Sequence, residues 1–89
     1  MPRVTFTGNL QRFVDAPAAL VQGRTVREAL EAAFTQNPRL RGYLLDDQGA
    51  LRRHIVVFVG GEAVVDRTAL SDAASDGAEI AVLQALSGG

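Results

Sequence analysis

Strand-like patterns of apolar residues lie near both ends of this 89-residue chain. Near the N-terminus, Val4 and Phe6 fall on one face of residues 3–7 and two threonines fall on the other. A weaker strand is expected within residues 18–22, where alanines replace better strand formers. The final apolar segment, residues 79–83, predicts the last strand. Both termini of the folded region are therefore expected to lie in a sheet.

One amphipathic helix is predicted between these strands. Thr25 and Glu28 have the spacing of a capping box, in which the threonine hydroxyl accepts from the backbone amide three residues later. After the cap, apolar residues recur with helical periodicity at Val26, Ala29, Leu30, Ala33 and Phe34. Pro38 ends the helix because a proline disfavours helical backbone at the residue before it. Residues 39–45 are expected to add a short turn.

Two adjacent glycines predict a hairpin in the second half of the chain. They separate the strand-like runs 53–59 and 62–65, and glycine tolerates the positive φ angles that tight hairpin turns need. A following turn is expected to bring Leu70 into the core. The elements then follow as strand, strand, helix, strand, strand, strand. This order predicts an α+β fold: a mixed sheet of four to five strands with one main helix packed on one face.

A single helix leaves apolar surface on the other face of such a sheet. Residues 55–59 are all apolar, and adjacent strand residues point to opposite faces, so one alternating set stays uncovered. The last strand has the same property. Uncovered apolar surface often marks a partner site, although central strands partly shielded by loops are an equally good reading. With Ile55 turned toward the helix, the candidate docking residues are Val56, Phe58, Ala81 and Leu83.

Composition narrows the class of protein. The length suits one small domain, expected over residues 1–83, with a flexible tail over 84–89. A net charge of -1 gives no general attraction to nucleic acid or to an anionic membrane, and the N-terminus lacks a signal-peptide pattern. The absence of cysteine excludes disulfides and thiolate metal sites. A cytoplasmic protein without nucleic-acid or membrane partners is the expectation, and polar constellations suited to an enzyme are lacking.

Two groups of polar residues could suggest a metal site or a docking site, but both have simpler interpretations. His54 is the only histidine and has no ligand-type residue at metal-binding spacing, so no metal site is predicted. Arg41, Arg52 and Arg53 suggest a basic rim for an acidic partner, but charged residues beside a strand usually face water.

The two terminal glycines are the most informative feature of the chain. Gly88 and Gly89 carry no Cβ atom, so this end is thin enough to thread into a narrow channel with the α-carboxylate of Gly89 leading. Leu86 and Ser87 would enter the channel with Gly88. The alternative is a disordered end without function.

The element order, the turn at residues 76–77 and the terminal Gly88-Gly89 resemble the β-grasp (ubiquitin-like) sulfur carriers, which include the small subunit of molybdopterin synthase and the thiazole-pathway sulfur carrier. The resemblance spans nearly the whole chain, and the terminal dipeptide is its most specific part. It implies that an ATP-dependent enzyme related to ubiquitin E1 adenylates Gly89, which then becomes a thiocarboxylate. It also implies a sulfur-accepting synthase as a second partner. ATP and Mg²⁺ would be used by the activating partner, and this chain would bind no cofactor.

The sequence does not identify the biosynthetic pathway that would receive the sulfur. The approach to Gly88 lacks the proline that is usual in the molybdopterin synthase subunit, whereas residues 39–53 look more like carriers that donate sulfur for cysteine biosynthesis. Two other functions are compatible with the sequence. One is a ubiquitin-like protein modifier that uses the same activated terminus, and the other is a β-grasp binding module with an incidental Gly-Gly.

Overall fold

The protein folds as one mixed sheet with two helices on the same face. The computed structural model describes residues 1–8 and 18–84. Its elements are β1 (Arg3–Gly8), β2 (Ala19–Leu20), α1 (Val26–Gln36), α2 (Arg39–Leu44), β3 (Ile55–Val59), β4 (Glu62–Ala63) and β5 (Glu79–Gln84). The sheet order is β2-β1-β5-β3-β4. The β1–β5 pair is parallel and the other pairs are antiparallel. The predicted α+β class with one main helix is confirmed.

The element bounds differ from the sequence prediction first at the end of the β1–β5 pair. β5 continues to Gln84, one residue past the predicted end, because its backbone pairs with Gly8 on one side and with Ile55 on the other. Gln84 therefore belongs to the sheet and not to the tail. Gly8, expected in a turn with Asn9, ends β1, while Asn9 lies outside the described residues.

The second difference concerns the flanks of the predicted strand 53–59 and turn 39–45. β3 begins only at Ile55, because the backbone turns before it and the Ile55 amide donates to the carbonyl of Arg52 at 3.0 Å. The segment after Pro38 forms the short helix α2, which buries Leu40 and Leu44. Two leucines four residues apart meet on one helix face, and this spacing was the available signal for a helix.

One hydrophobic core lies between the sheet and the helices. The helix α1 buries the five apolar residues that its periodicity singled out, and this prediction is confirmed. The three long strands contribute alternate residues to the same cluster: Val4, Phe6, Ile55, Val57, Ile80 and Val82. Each strand therefore turns one set of side chains to the core and leaves the other set on the opposite face.

The predicted cap of α1 is present with one change. The Glu28 amide donates to Oγ1 of Thr25 at 3.1 Å, as a capping box requires. The Glu28 carboxylate reaches back one residue further than expected and accepts from the Arg24 amide at 2.9 Å. The first turn of the helix is thereby tied to the segment that precedes it.

The loop between β4 and β5 completes this helix end. The amides of Val26 and Arg27 donate to the carbonyls of Asp72 and Leu70, both at 2.9 Å. The first amides of a helix have no acceptor within the helix, so the loop supplies the two carbonyl acceptors. Leu70 adopts a positive φ of 57° and is 0% exposed. Its predicted core position is confirmed, and its unusual backbone turns the carbonyl toward the helix.

Asp66 holds the loop in this shape. Its carboxylate accepts from the hydroxyl and amide of Ser71 and from the amides of Thr68 and Ala69. The Ser71 hydroxyl and these amides stabilise the charged form and lower the pKa of Asp66 to about 2. Asp72 acts in the same way on the amides of Val65 and Asp66.

Acid should weaken this loop. Because the folded pKa of Asp66 lies below its unfolded value, its contribution to the free energy of unfolding is complete above about pH 4 and is lost as the pH falls toward about 2. We expect Asp66→Asn to flatten the acid dependence of the unfolding free energy over that interval. Ser71→Ala should raise the Asp66 pKa, which carboxyl-carbon NMR titration measures directly. An unshifted Asp66 pKa in the Ser71→Ala variant would contradict this account.

Truncation of two apolar residues in the same loop should change the stability of the protein by very different amounts. Leu70→Ala should lower the free energy of unfolding by about 2–5 kcal/mol, since it empties a fully buried site. Val65→Ala is the matched control, because Val65 is 90% exposed and should change stability by less than about 0.5 kcal/mol. Urea unfolding of the two variants measures both values. Equal losses would show that burial of Leu70 does not hold the loop.

Candidate functional site

The central strand of the sheet leads directly to the terminal tail. β5 is paired with β1 along its whole length, from Arg3 opposite Glu79 to Gly8 opposite Gln84. On its other side it pairs with β3, where Ile55 lies opposite Gln84. The point at which the tail begins is thus held from both sides. The predicted carrier residue Gly89 and the predicted threading residues Leu86, Ser87 and Gly88 lie outside the described residues.

The four predicted docking residues lie together on the sheet face opposite the core. Val56 pairs with Leu83, and Phe58 pairs with Ala81, so the four form two neighbouring cross-strand pairs. All four are half-buried, whereas their strand neighbours Ile55, Val57, Ile80 and Val82 are fully buried in the core. We call Val56, Phe58, Ala81 and Leu83 the apolar patch. Leu83 sits next to Gln84, so the patch adjoins the start of the tail.

Two further residues extend one row of this face. Thr5 on β1 lies opposite Ala81, and Ala63 on β4 lies opposite Phe58. Ala63 was not among the predicted docking residues, although a signal for its position was available. Gly60 and Gly61 form a two-residue turn with φ angles of 60° and 86°, which confirms the hairpin and fixes Val59 opposite Glu62. Ala63 must then face Phe58.

An arginine occupies the part of the β3 edge that β4 leaves uncovered. The Arg67 guanidinium donates to the carbonyl of Ile55 at 2.7 Å and to that of Arg52 at 2.8 Å. These carbonyls are therefore not open to an added strand. The broad face of the sheet, and not this edge, is the better candidate for contact with a partner.

The suspected basic rim makes internal contacts. Arg41 pairs with Glu31 and lies 5.2 Å over the Phe34 ring, and the Arg52 side chain donates to the carbonyl of Gly42 at 2.9 Å. Arg53 is exposed in the turn before β3. Two of the three arginines thus make contacts within the protein that involve α1 or α2.

Asp46 and His54 are likewise structural or exposed. Asp46 closes its own turn by accepting from the amides of Gln48 and Ala50 at 2.9 and 3.1 Å. His54 is exposed just before β3. Within residues 1–8 and 18–84, no three histidine, aspartate or glutamate side chains are grouped to hold a metal ion.

Comparison with known proteins identifies the family. The sequence model of the ThiS family matches residues 4–89, which include the two terminal glycines. The chain belongs to the ThiS family. Among curated proteins, no sequence matches it.

Solved structures agree with this assignment. SAMP1 from Haloferax volcanii is 30% identical with a TM-score of 0.78, covering 99% of this chain and 98% of that one. CysO in the BexX/CysO complex of Amycolatopsis orientalis has 22% identity and a TM-score of 0.81, with both chains covered completely. Mycobacterium tuberculosis CysO is 20% identical with a TM-score of 0.80, covering 97% and 100%. The last two comparisons bear on the fold alone.

The family match confirms the resemblance to ubiquitin-like β-grasp sulfur carriers. One structural neighbour, the Amycolatopsis orientalis protein, was solved in a complex with a second protein. In the part of the ThiS-family chain that the structure describes, neither helix is long and apolar enough to cross a membrane.

The apolar patch should contribute to binding of the E1-like partner that the resemblance implies. Phe58→Thr and Leu83→Thr keep good strand formers but remove apolar contact area, so each should weaken the complex by about tenfold. Val65→Thr is the matched control, because Val65 is exposed in the loop before Asp66. Calorimetric titration with the activating enzyme measures the affinities, and circular dichroism checks the fold. Unchanged affinity in both patch variants would assign docking to another surface.

Proposed function

We propose that this protein is a sulfur carrier whose Gly89 carboxylate is adenylated by an E1-like enzyme and converted to a thiocarboxylate. The observation that carries the proposal is the extent of the family match, which runs through the tail to Gly89. The chain acts in this scheme as a protein co-substrate in the cytoplasm, without catalysing a step itself.

The chemistry explains the division of roles. A carboxylate is a poor electrophile, so the activating partner first joins the Gly89 carboxylate to the α-phosphate of ATP and releases pyrophosphate. Sulfide then attacks the acyl carbon, the bond to AMP breaks, and AMP leaves with its electron pair. Electrostatic stabilisation of these steps by Mg²⁺ and cationic groups belongs to the partner. This chain supplies a docking face and a thin reactive end.

The geometry of the described domain suits this role. Five residues, from Ala85 to Gly89, follow the end of β5. Fully extended, they span at most about 18 Å. A partner that contacts the apolar patch beside Gln84 can therefore reach Gly89 in a channel of that depth. The pairing of β5 with both β1 and β3 keeps the origin of the tail fixed.

The proposed second partner is a synthase that accepts the sulfur. Molybdopterin, thiazole and cysteine biosynthesis remain the candidate pathways, and supplying the thiocarboxylate to a purified synthase of each type tests them. Release of the sulfur-free carrier in step with product formation would identify the recipient.

A second candidate function is protein modification. Its support is the 30% identity over almost the full length to SAMP1, a small archaeal modifier protein. In that case the activated Gly89 carbonyl is attacked by a lysine amine of another protein, AMP leaves, and an isopeptide bond forms. Both functions need the same activation, and they differ in the nucleophile that follows.

Intact-protein mass spectrometry tests the activation. After incubation with ATP, Mg²⁺, sulfide and an E1-like enzyme from the same source, we expect a mass gain equal to the exchange of one oxygen for sulfur. Deletion of Gly89 should abolish this gain, whereas Ser87→Ala, which keeps both glycines, should retain it. An unchanged wild-type mass with an enzyme shown to adenylate another carrier would contradict the proposal. Replacing sulfide with a lysine-containing acceptor, and seeking the isopeptide product, separates carrier from modifier.

A further inference from the structure

Apart from the single histidine, His54, every basic side chain in this sequence is an arginine. The nine residues are Arg3, Arg12, Arg24, Arg27, Arg39, Arg41, Arg52, Arg53 and Arg67, and no lysine occurs. A guanidinium stays protonated at every pH of interest and does not attack an acyl group. A lysine loses its proton readily by comparison and is the usual side-chain amine acceptor. The α-amine of Met1 is then the one amine in the sequence.

The structure places Met1 at the wrong end of the sheet for reaction with the tail. Its ammonium pairs with the carboxylate of Asp76. Because β1 and β5 are parallel, Met1 lies beyond the Arg3–Glu79 pair, while the tail leaves beyond the Gly8–Gln84 pair. The five strand steps between these pairs cover about 17 Å, and Met1 lies two residues further still. A tail of at most about 18 Å cannot turn back and cover that distance.

A lysine at position 53, unlike the Met1 amine, would lie close to the start of the tail. Arg53 is exposed and stands two residues before Ile55, which pairs with Gln84. Its Cα therefore lies within roughly 12 Å of the start of the tail, given about 7 Å for two residues and about 5 Å between paired strands. Arg24 is also exposed, but it lines the same surface cavity as Met1 and Asp76 at the opposite end.

We propose that the all-arginine surface directs acyl transfer from the activated Gly89 outward, so that the carrier does not acylate itself or another copy of itself through a side chain. This inference rests on the proposed function. It adds a consequence for the modifier reading: each acceptor lysine receives a single copy, because an attached copy presents no lysine for the next one.

The reaction that the arginines prevent is simple acyl transfer. A neutral lysine amine attacks the Gly89 carbonyl carbon, the bond to the leaving group breaks, and an amide forms. The leaving group departs as AMP from an adenylate or as a thiol from a thioester. The amine proton passes to solvent. Within one molecule, a connection of only a few residues gives such an amine an effective concentration in the millimolar range.

A Gly89 thioester of the full-length chain tests this inference without the activating enzyme. Three versions are compared at the same dilute concentration: wild type, Arg53→Lys and Arg24→Lys. We expect wild type and Arg24→Lys to give only the hydrolysed acid. The Arg53→Lys thioester should disappear about tenfold faster and give a cyclic amide that is lighter than the acid by one water, as intramolecular capture predicts. Proteolytic mapping should place the link between Lys at position 53 and Gly89.

The outcomes separate this inference from the proposed function. A water-loss product or covalent dimer from wild type would overturn it, because the native surface would then capture the terminus. Equal lifetimes of all three thioesters would also overturn it, since a lysine beside the tail would make no difference. Failure of the E1-like enzyme to activate wild type leaves the thioester result unaffected and counts against the proposed function alone.

Discussion

The double pairing of β5 is the interaction on which the rest of the structure depends. This strand lies between β1 and β3, and it is the only described strand whose two edges are both paired along most of its length. Its alternate residues Ile80 and Val82 pack in the core, while Ala81 and Leu83 complete the apolar patch. One strand therefore anchors the core, contributes to the apolar patch and sets the origin of the tail.

The helix is attached to this sheet through polar groups as well as through the core. The carboxylates of Asp66 and Asp72 lie near the surface and so avoid the free-energy cost of burying a charge. Each accepts at least two hydrogen bonds from groups of the loop. This arrangement orients the carbonyls of Leu70 and Asp72 toward the first amides of α1. The N-terminal end of α1 is thereby used for folding, and the proposed docking residues lie on the opposite face of the sheet.

The sequence was sufficient for much of the fold and of the candidate site, for identifiable physical reasons. Period-two and helical patterns depend on local geometry, so the core face of α1 and the alternation around Phe58 were predictable. The register that brings Val56 opposite Leu83 was not predictable, because it depends on contacts between segments that are distant in the sequence. The turn that buries Leu70 was predicted, but the role of Asp66 in it was missed, because most of the hydrogen bonds that Asp66 accepts come from backbone amides, which carry no residue-type signal. The tail residues from Leu86 to Gly89 lie outside the described residues, so their roles stay predictions.

A carrier with a reactive end has to be recognised closely and yet remain unreactive toward itself. The apolar patch is proposed to meet the first requirement, because it adjoins Gln84, where the tail begins. The parallel arrangement of β1 and β5 contributes to the second, because it keeps the Met1 amine at the far end of the sheet. Arginine meets the remaining need, since Arg27 and Arg67 can donate to several backbone carbonyls without adding an amine nucleophile. The same residues that hold the fold together therefore leave the activated terminus available to other molecules.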